Sequence, residues 1–193
     1  GPMFRYERPQ KGRFRQFHQL GIELLGVENP QADIETISFA KILLDELAIS
    51  DRTFLEINSI GDKESRANFR TFLVQYFSRY EKDLSEESIK RLKTNPLRIL
   101  DSKDEKDIRI SEGAPKFSDS LNQISRQKFD AISNGLSQLG IEFCINPKLV
   151  RGLDYYTDLV FEFKTASLGA QDAVLSGGRY DDLVAMMGGP QTP

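Results

Sequence analysis

The chain has 193 residues, with 26 basic and 29 acidic side chains, a formal net charge of -3 and 39% hydrophobic residues. That is enough for one compact domain carrying an insertion, or for two small ones, and the balance is that of an ordinary globular protein. One cysteine and one histidine exclude an intrachain disulfide and any site built from several Cys or His ligands, and no apolar run reaches the about 20 residues of a membrane-spanning helix.

Charge is unevenly placed. The first fifteen residues hold five basic side chains and one acid, while the remainder carries 21 basic against 28 acidic residues. Such a local excess suits an anion site better than a nucleic-acid-coating surface. Residues 3–10 and 15–25 are predicted to be strands of a hairpin, joined by the turn-forming PQKG at 9–12. Alternation puts Arg15, Phe17, Gln19, Gly21 and Glu23 on one face, and Gln16, His18, Leu20, Ile22 and Leu24 on the other. In the first strand Arg5 and Glu7 oppose Phe4 and Tyr6. The apolar face is expected to pack on helices, leaving Arg5, Glu7, Gln19 and Glu23 as the floor of a ligand site. His18 falls on the packing side, so its expected role is structural.

After Asn29 and Pro30, apolar residues Ile34, Ile37, Leu44 and Leu47 recur at helical spacing, with Asp33 as the candidate cap. A strand is predicted over 53–58. Asp62 can cap a helix whose stripe is Phe69, Phe72, Leu73, Tyr76, Phe77 and Tyr80, expected to form a small core of its own. Ser85, between Leu84 and Ile89, opens a shorter helix that Pro96 stops. The mixed charge run at 101–112 reads as a solvated loop. Ser125 is the predicted start of a further helix, closed by Gly140. Strands follow at 141–146, where Cys144 is expected to be buried, and at 152–165 and 173–175, before a short helix at 182–187.

This order predicts an α+β fold, a mainly antiparallel sheet flanked by helices, with catalytic core at 1–61 and 125–193 and a helical insertion at 62–124. Three constellations carry chemistry. Arginines 5, 8, 13 and 15 can bind phosphate oxygens in pairs, although exposed hairpin arginines are also commonly just solvated. In LVRGLDYYT (149–157) a cation and phenols can share a pocket, or the tyrosines can divide between core and surface. In SGGRYDDL (176–183) paired glycines after a strand allow close approach of a ligand, a weak signal alone because it is neither GxGxxG nor a P-loop.

Taken together, FRYERPQKGRFRQFHQLGIE (4–23), LVRGLDYYT and SGGRYDDL resemble motif 2 and the histidine-specific motifs of the histidyl-tRNA synthetase family, class II and bacterial in type. LEINSIG (55–61) and TNPLRILDSK (94–103) extend the likeness over nearly the whole chain. The resemblance implies an ATP-dependent ligase that forms histidyl-adenylate and charges tRNA(His), cytoplasmic and homodimeric, with Mg2+ on the ATP phosphates and no membrane association. It implies that Arg5, Glu7, Arg13 and Arg151 meet ATP, with Arg5 and Arg151 catalytic at the α-phosphate. Gln19, Glu23, Arg151, Tyr155, Tyr156, Gly177 and Gly178 would border the histidine, with Glu23 on its ammonium group. Nothing resembles motif 1, motif 3 or an anticodon-binding domain, so a piece of the catalytic domain, inactive alone, is expected. The competing expectation is a histidine-sensing paralogue, such as the regulatory subunit of ATP phosphoribosyltransferase.

Overall fold

A computed structural model of the chain describes residues 1–6, 8–9, 13–149, 155–168 and 172–193. The opening hairpin is shorter than the pattern implies. Strands β1 (Pro2–Phe4) and β2 (Gln16–His18) pair antiparallel, with Met3 opposite Phe17. Backbone bonds from Arg5 N to Arg15 O (2.8 Å) and from Gln19 N to Gly1 O (2.9 Å) extend the ladder at each end. Gln19 thus faces Gly1, and residues 20–25 run on without strand structure. The expected helical cover is also missing: Phe4 is 74% exposed, and Phe14 and Leu20 are exposed with it. The hairpin forms a two-stranded sheet apart from the main one.

Helix α1 (Pro30–Glu46) is capped by Asn29, whose Oδ1 accepts from Gln31 N at 3.2 Å, with Pro30 at the first helical position. Asp33 is therefore not the cap; it lies buried in the first turn. Strand β3 (Phe54–Ser59) precedes α2 (Lys63–Ser78), which Asp62 caps as its sequence suggests, accepting from Ser65 N at 2.8 Å. Ser85 likewise caps α3 (Glu86–Thr94). The charge run at 101–112 is not a solvated loop but contains α4 (Glu105–Ser111). The reason is Asp107, fully buried, which accepts from Ser85 N, Ser85 Oγ, Ser88 Oγ and Ser102 Oγ at 2.9, 2.7, 2.6 and 2.7 Å. Four donors replace the water that a buried carboxylate loses.

Helix α5 (Gln123–Gln138) is capped by Asn122 rather than Ser125, which sits inside the first turn, and Gly140 ends it with φ +69°. Strands β4 (Phe143–Ile145), β5 (Thr157–Lys164) and β6 (Ala173–Arg179) and the short α6 (Leu183–Met186) complete the order. Strand β6 runs on through the glycines that were expected to follow it. Cys144 is exposed rather than buried, because β4 is a sheet edge.

The main sheet has the order β4-β3-β5-β6, with β3 and β4 parallel and the other pairs antiparallel. On one face α1 and α5 cover Leu55, Ile57, Leu159, Phe161 and Phe163 with Ile37, Leu44, Ile132 and Leu136. The alternate side chain Val160 faces the other way, into a second core with Phe69, Leu73, Phe77, Leu92, Ile99 and Phe117. That core also takes in Ile60, Leu149 and Tyr156. The helical segment therefore does not form a core of its own, as its stripe suggests; it shares one with the sheet.

Candidate active site

The two tyrosines stand where β5 begins, and the ladder is irregular there. Thr157 pairs with Arg179 and the next pair is Val160 with Gly178, so Asp158 and Leu159 have no counterparts on β6. This bulge bends the strand and turns Asp158 to φ +46°, a conformation that Asp tolerates better than most residues. Tyr155 and Tyr156 lie with ring centroids 4.7 Å apart, and Tyr155 meets Tyr180 edge-on at 6.2 Å. The Tyr180 hydroxyl donates to the carboxylate of Glu23. Burial, followed by the hydrogen bond to Glu23, raises the Tyr180 phenol well above its ordinary value, so it stays a donor. Glu23, Tyr180 and Gly178 border one cleft together with Ile22, Thr36 and Asp181.

The glycines are there for packing. A Cβ on Gly178 would lie 2.6 Å from Leu159 O and 2.8 Å from Tyr156 Cδ1, and one on Gly177 2.7 Å from Phe161 Cζ. Only a missing side chain lets the Tyr156 ring lie against β6. Gly177 is directed at the core ring of Phe161, not at open space for a ligand, so the two glycines do not act as a pair.

Arg179, between the glycines and Tyr180, is buried and committed to structure. Its Nε donates to Asp33 Oδ1 (3.1 Å), Nη2 to Asp33 Oδ2 (2.8 Å) and Nη1 to Asp181 Oδ1 (2.9 Å). Further bonds of 3.3 Å reach the carbonyls of Val27 and Asn29. Burial opposes the charge, but Asp33 and Asp181 outweigh it and hold the guanidinium pKa above its ordinary value. Burial pushes Asp33 up from the usual carboxylate range, against the pull of Arg179. This node ties β6, α1 and the segment that follows Glu23 into one wall of the cleft.

The other candidate residues lie on the hairpin or outside the described residues. Arg5 sits over the Phe17 ring at 5.1 Å and Arg15 over Tyr6 at 5.1 Å. Arg13 and Gln19 belong to the same hairpin, and Gln19 is exposed. Glu7 and Arg151 lie outside the described residues, as does the rest of 150–154. The structure thus brings Glu23 and Gly178 to one cleft, while Tyr155 and Tyr156 belong to the second core and reach the cleft through the contact of Tyr155 with Tyr180. Among the described residues no cluster of three His, Cys, Asp or Glu side chains could hold a metal ion. Among them, too, no helix is long and apolar enough to cross a membrane.

A family model described as histidyl-tRNA synthetase matches residues 79–193. The chain belongs to the histidyl-tRNA synthetase family. A histidine–tRNA ligase of Rhodospirillum rubrum is 56% identical over all 193 residues, which cover 46% of that relative. The apo histidyl-tRNA synthetase of S. aureus superposes with a TM-score of 0.76 at 32% identity, covering 100% of this chain and 45% of that one. A Bacillus halodurans structure described as an ATP phosphoribosyltransferase regulatory subunit/histidyl-tRNA synthetase shares the fold, with a TM-score of 0.61 at 24% identity over 100% of this chain and 53% of that one. The chain spans about half the length of the curated relatives it matches. The α+β architecture is that of the histidyl-tRNA synthetases. Sequence reasoning quoted Arg179 and Tyr180 within SGGRYDDL but gave them no role, and it misplaced Asp33. A buried-pair signal was available, since Asp33 lies on the same helix face as Ile37, Ala40 and Leu44.

Proposed function

We propose that the protein containing this chain is a histidine–tRNA ligase, which activates L-histidine with ATP and transfers it to tRNA(His). The observation that carries this reading is the hydrogen bond from the Tyr180 hydroxyl to the Glu23 carboxylate at the cleft, with the Tyr155–Tyr156 pair packed behind Tyr180. A carboxylate beside a phenol suits an amino acid that offers an ammonium group and a ring with two polar nitrogens, and ligands lacking those groups would leave the polar partners unpaired. In this reading Glu23 receives the ammonium, Gln19 assists it, and Tyr155 and Tyr156 shape the ring pocket, with Gly178 making room for the Tyr156 ring. Arg5, Arg13, Arg151 and Glu7 meet ATP, and Mg2+ arrives on its phosphates as part of the substrate. The histidine carboxylate is the nucleophile and is already ionised at neutral pH, so no general base is needed. What remains is stabilisation of the charge gathering on the α-phosphate, which Arg5 and Arg151 supply from two sides. The full-length protein acts as a homodimer in the cytoplasm.

A histidine-sensing regulatory paralogue shares the fold, but it has no use for a phosphate clamp such as Arg5, Arg13 and Arg151. The discriminating experiment is ATP–pyrophosphate exchange by the full-length protein. Exchange that requires histidine is expected, with a Glu23→Gln variant raising the KM for histidine by about tenfold, the loss of one hydrogen bond to a charged group. Histidine binding with no ATP binding would establish the regulatory reading instead. The 193 residues alone should exchange little pyrophosphate; a rate near that of the full-length protein would show that the missing half is dispensable.

A further inference from the structure

Both ends of the helical segment are fastened to the residues that follow Tyr156. The chain leaves the sheet at Ile60 and Gly61, where Ile60 N donates to Asp158 O (2.7 Å) and Asp158 N donates to Gly61 O (2.9 Å). It returns at α5, where Ser125 Oγ donates to Asp158 Oδ1 (2.7 Å) and Lys128 Nζ lies 3.3 Å from Asp158 Oδ2. The two crossings also hold each other: Asp62 N donates to Ser125 Oγ (3.2 Å), and Asn122 Nδ2 donates to Asp62 Oδ2 (2.8 Å). One turn into α2, Arg66 reaches across to the pocket side. Its Nη1 donates to the Tyr156 carbonyl oxygen at 2.6 Å, and its Nη2 lies 3.9 Å from Asp182 Oδ2.

The Tyr156 carbonyl precedes the first ladder pair at Thr157, immediately before the bulge between Thr157 and Val160. A guanidinium from the helical segment meets it there. The ring of the same residue packs against the Gly178 position and stacks on Tyr155, which meets Tyr180, whose hydroxyl binds Glu23. The placement of α2 is thus connected to the pocket wall through one charged hydrogen bond and a short run of packed rings.

We infer that Arg66 is a positioning residue for the amino-acid side of the pocket, fixing Tyr155 and Tyr156 according to where the helical segment sits. The inference deepens the histidine reading of that pocket and rests on it. Arg66 touches neither substrate in this account; it acts through the Tyr156 backbone. A charged hydrogen bond to a carbonyl is among the stronger ones, and small displacements of a pocket wall are costly to ligand fit.

The test uses the full-length protein and two ligands, L-histidine and ATP, with dissociation constants measured by calorimetry and the melting temperature followed alongside. Arg66→Met keeps the aliphatic stem and removes the donors. It should weaken histidine binding by about tenfold while leaving ATP binding within about twofold. Arg66→Lys, which retains one donor and the charge, should recover much of the histidine affinity and serves if the Met variant does not fold. Unchanged histidine affinity, or equal losses for histidine and ATP, would overturn the inference, the latter because general loosening has no preference between ligands. Direct binding keeps this result separate from the functional reading: a protein that binds histidine but exchanges no pyrophosphate sinks the ligase proposal and still tests Arg66.

Discussion

Arg179 shows how a motif residue can serve a site without facing it. Its six hydrogen bonds to Asp33, Asp181 and two carbonyls leave the guanidinium inside the wall, with a side chain only 6% exposed. Removing one member of such a pair strands the other charge, a loss of about 3–5 kcal/mol, whereas removing both can be much cheaper. Arg179→Met is therefore expected to destabilise the chain by about that amount in urea unfolding, and Asp33→Leu added to it should restore part of the loss. Strict additivity of the two single changes would show that the pair is not coupled. The burial of Asp33 was legible from its helix face, but its pairing with Arg179 was not, because the two are 146 positions apart and no local pattern joins them. Capping residues were legible for the opposite reason. Asp62 and Ser85 act on amides three positions away, so their chemistry is written beside them.

Among the elements, α4 departs most from its sequence pattern. A charge run normally reports a solvated surface, and most of this one is exposed; the exception, Asp107, is hidden by three serines, two from the start of α3 and one just before α4. Burial acts to raise its pKa, but the hydrogen bonds from Ser102, Ser88 and Ser85 prevail and hold it below the ordinary 3.8. A carboxyl with a depressed folded-state pKa stabilises the fold above its unfolded value and loses that contribution as pH falls through the folded value. The helical segment should therefore weaken in acid below about pH 4. Asp107→Asn should lower stability at neutral pH by about 1.5–3 kcal/mol and flatten that acid dependence. Circular dichroism of both proteins between pH 6 and pH 2 measures it; parallel acid transitions in the two would assign the dependence to other carboxylates. The caps of α1 and α5 moved for a simpler reason. Asn29 and Asn122 outcompeted Asp33 and Ser125, which are instead drawn inward by Arg179 and Asp158.

At the scale of the molecule, the opening hairpin and the main sheet have very different support. Among the described residues the hairpin has three ladder pairs between its strands and mostly exposed side chains, whereas β3 and β5 lie between two cores. Amides of Met3 and Phe17 should exchange with solvent almost as fast as in an open chain, while those of Ile57 and Phe161 are protected to nearly the global stability. Slow exchange at Phe17 in the 193-residue chain would mean that the hairpin is held by more than its own ladder. This contrast also explains what the sequence conveyed. Alternation put Arg5 and Phe17 on one face, and the Arg5 guanidinium does lie over the Phe17 ring, but the expected packing face is exposed at Phe4, His18 and Leu20, and Arg15 lies over Tyr6.

The parallel pairing of β3 with β4 places α2, α3, α4 and α5 inside a single crossover connection. A parallel pair can be joined by about a dozen residues, and this link is several times longer. Closure entropy grows only logarithmically, by about 0.6 kcal/mol for each doubling, so the added length costs roughly 2 kcal/mol. Even that is an upper figure once Asp62 and Asn122 are bonded side by side, for the sheet then meets the whole helical segment as a detour whose entry and exit coincide. A fold built this way can lengthen or shorten the detour over generations while the register of its strands stays where it was.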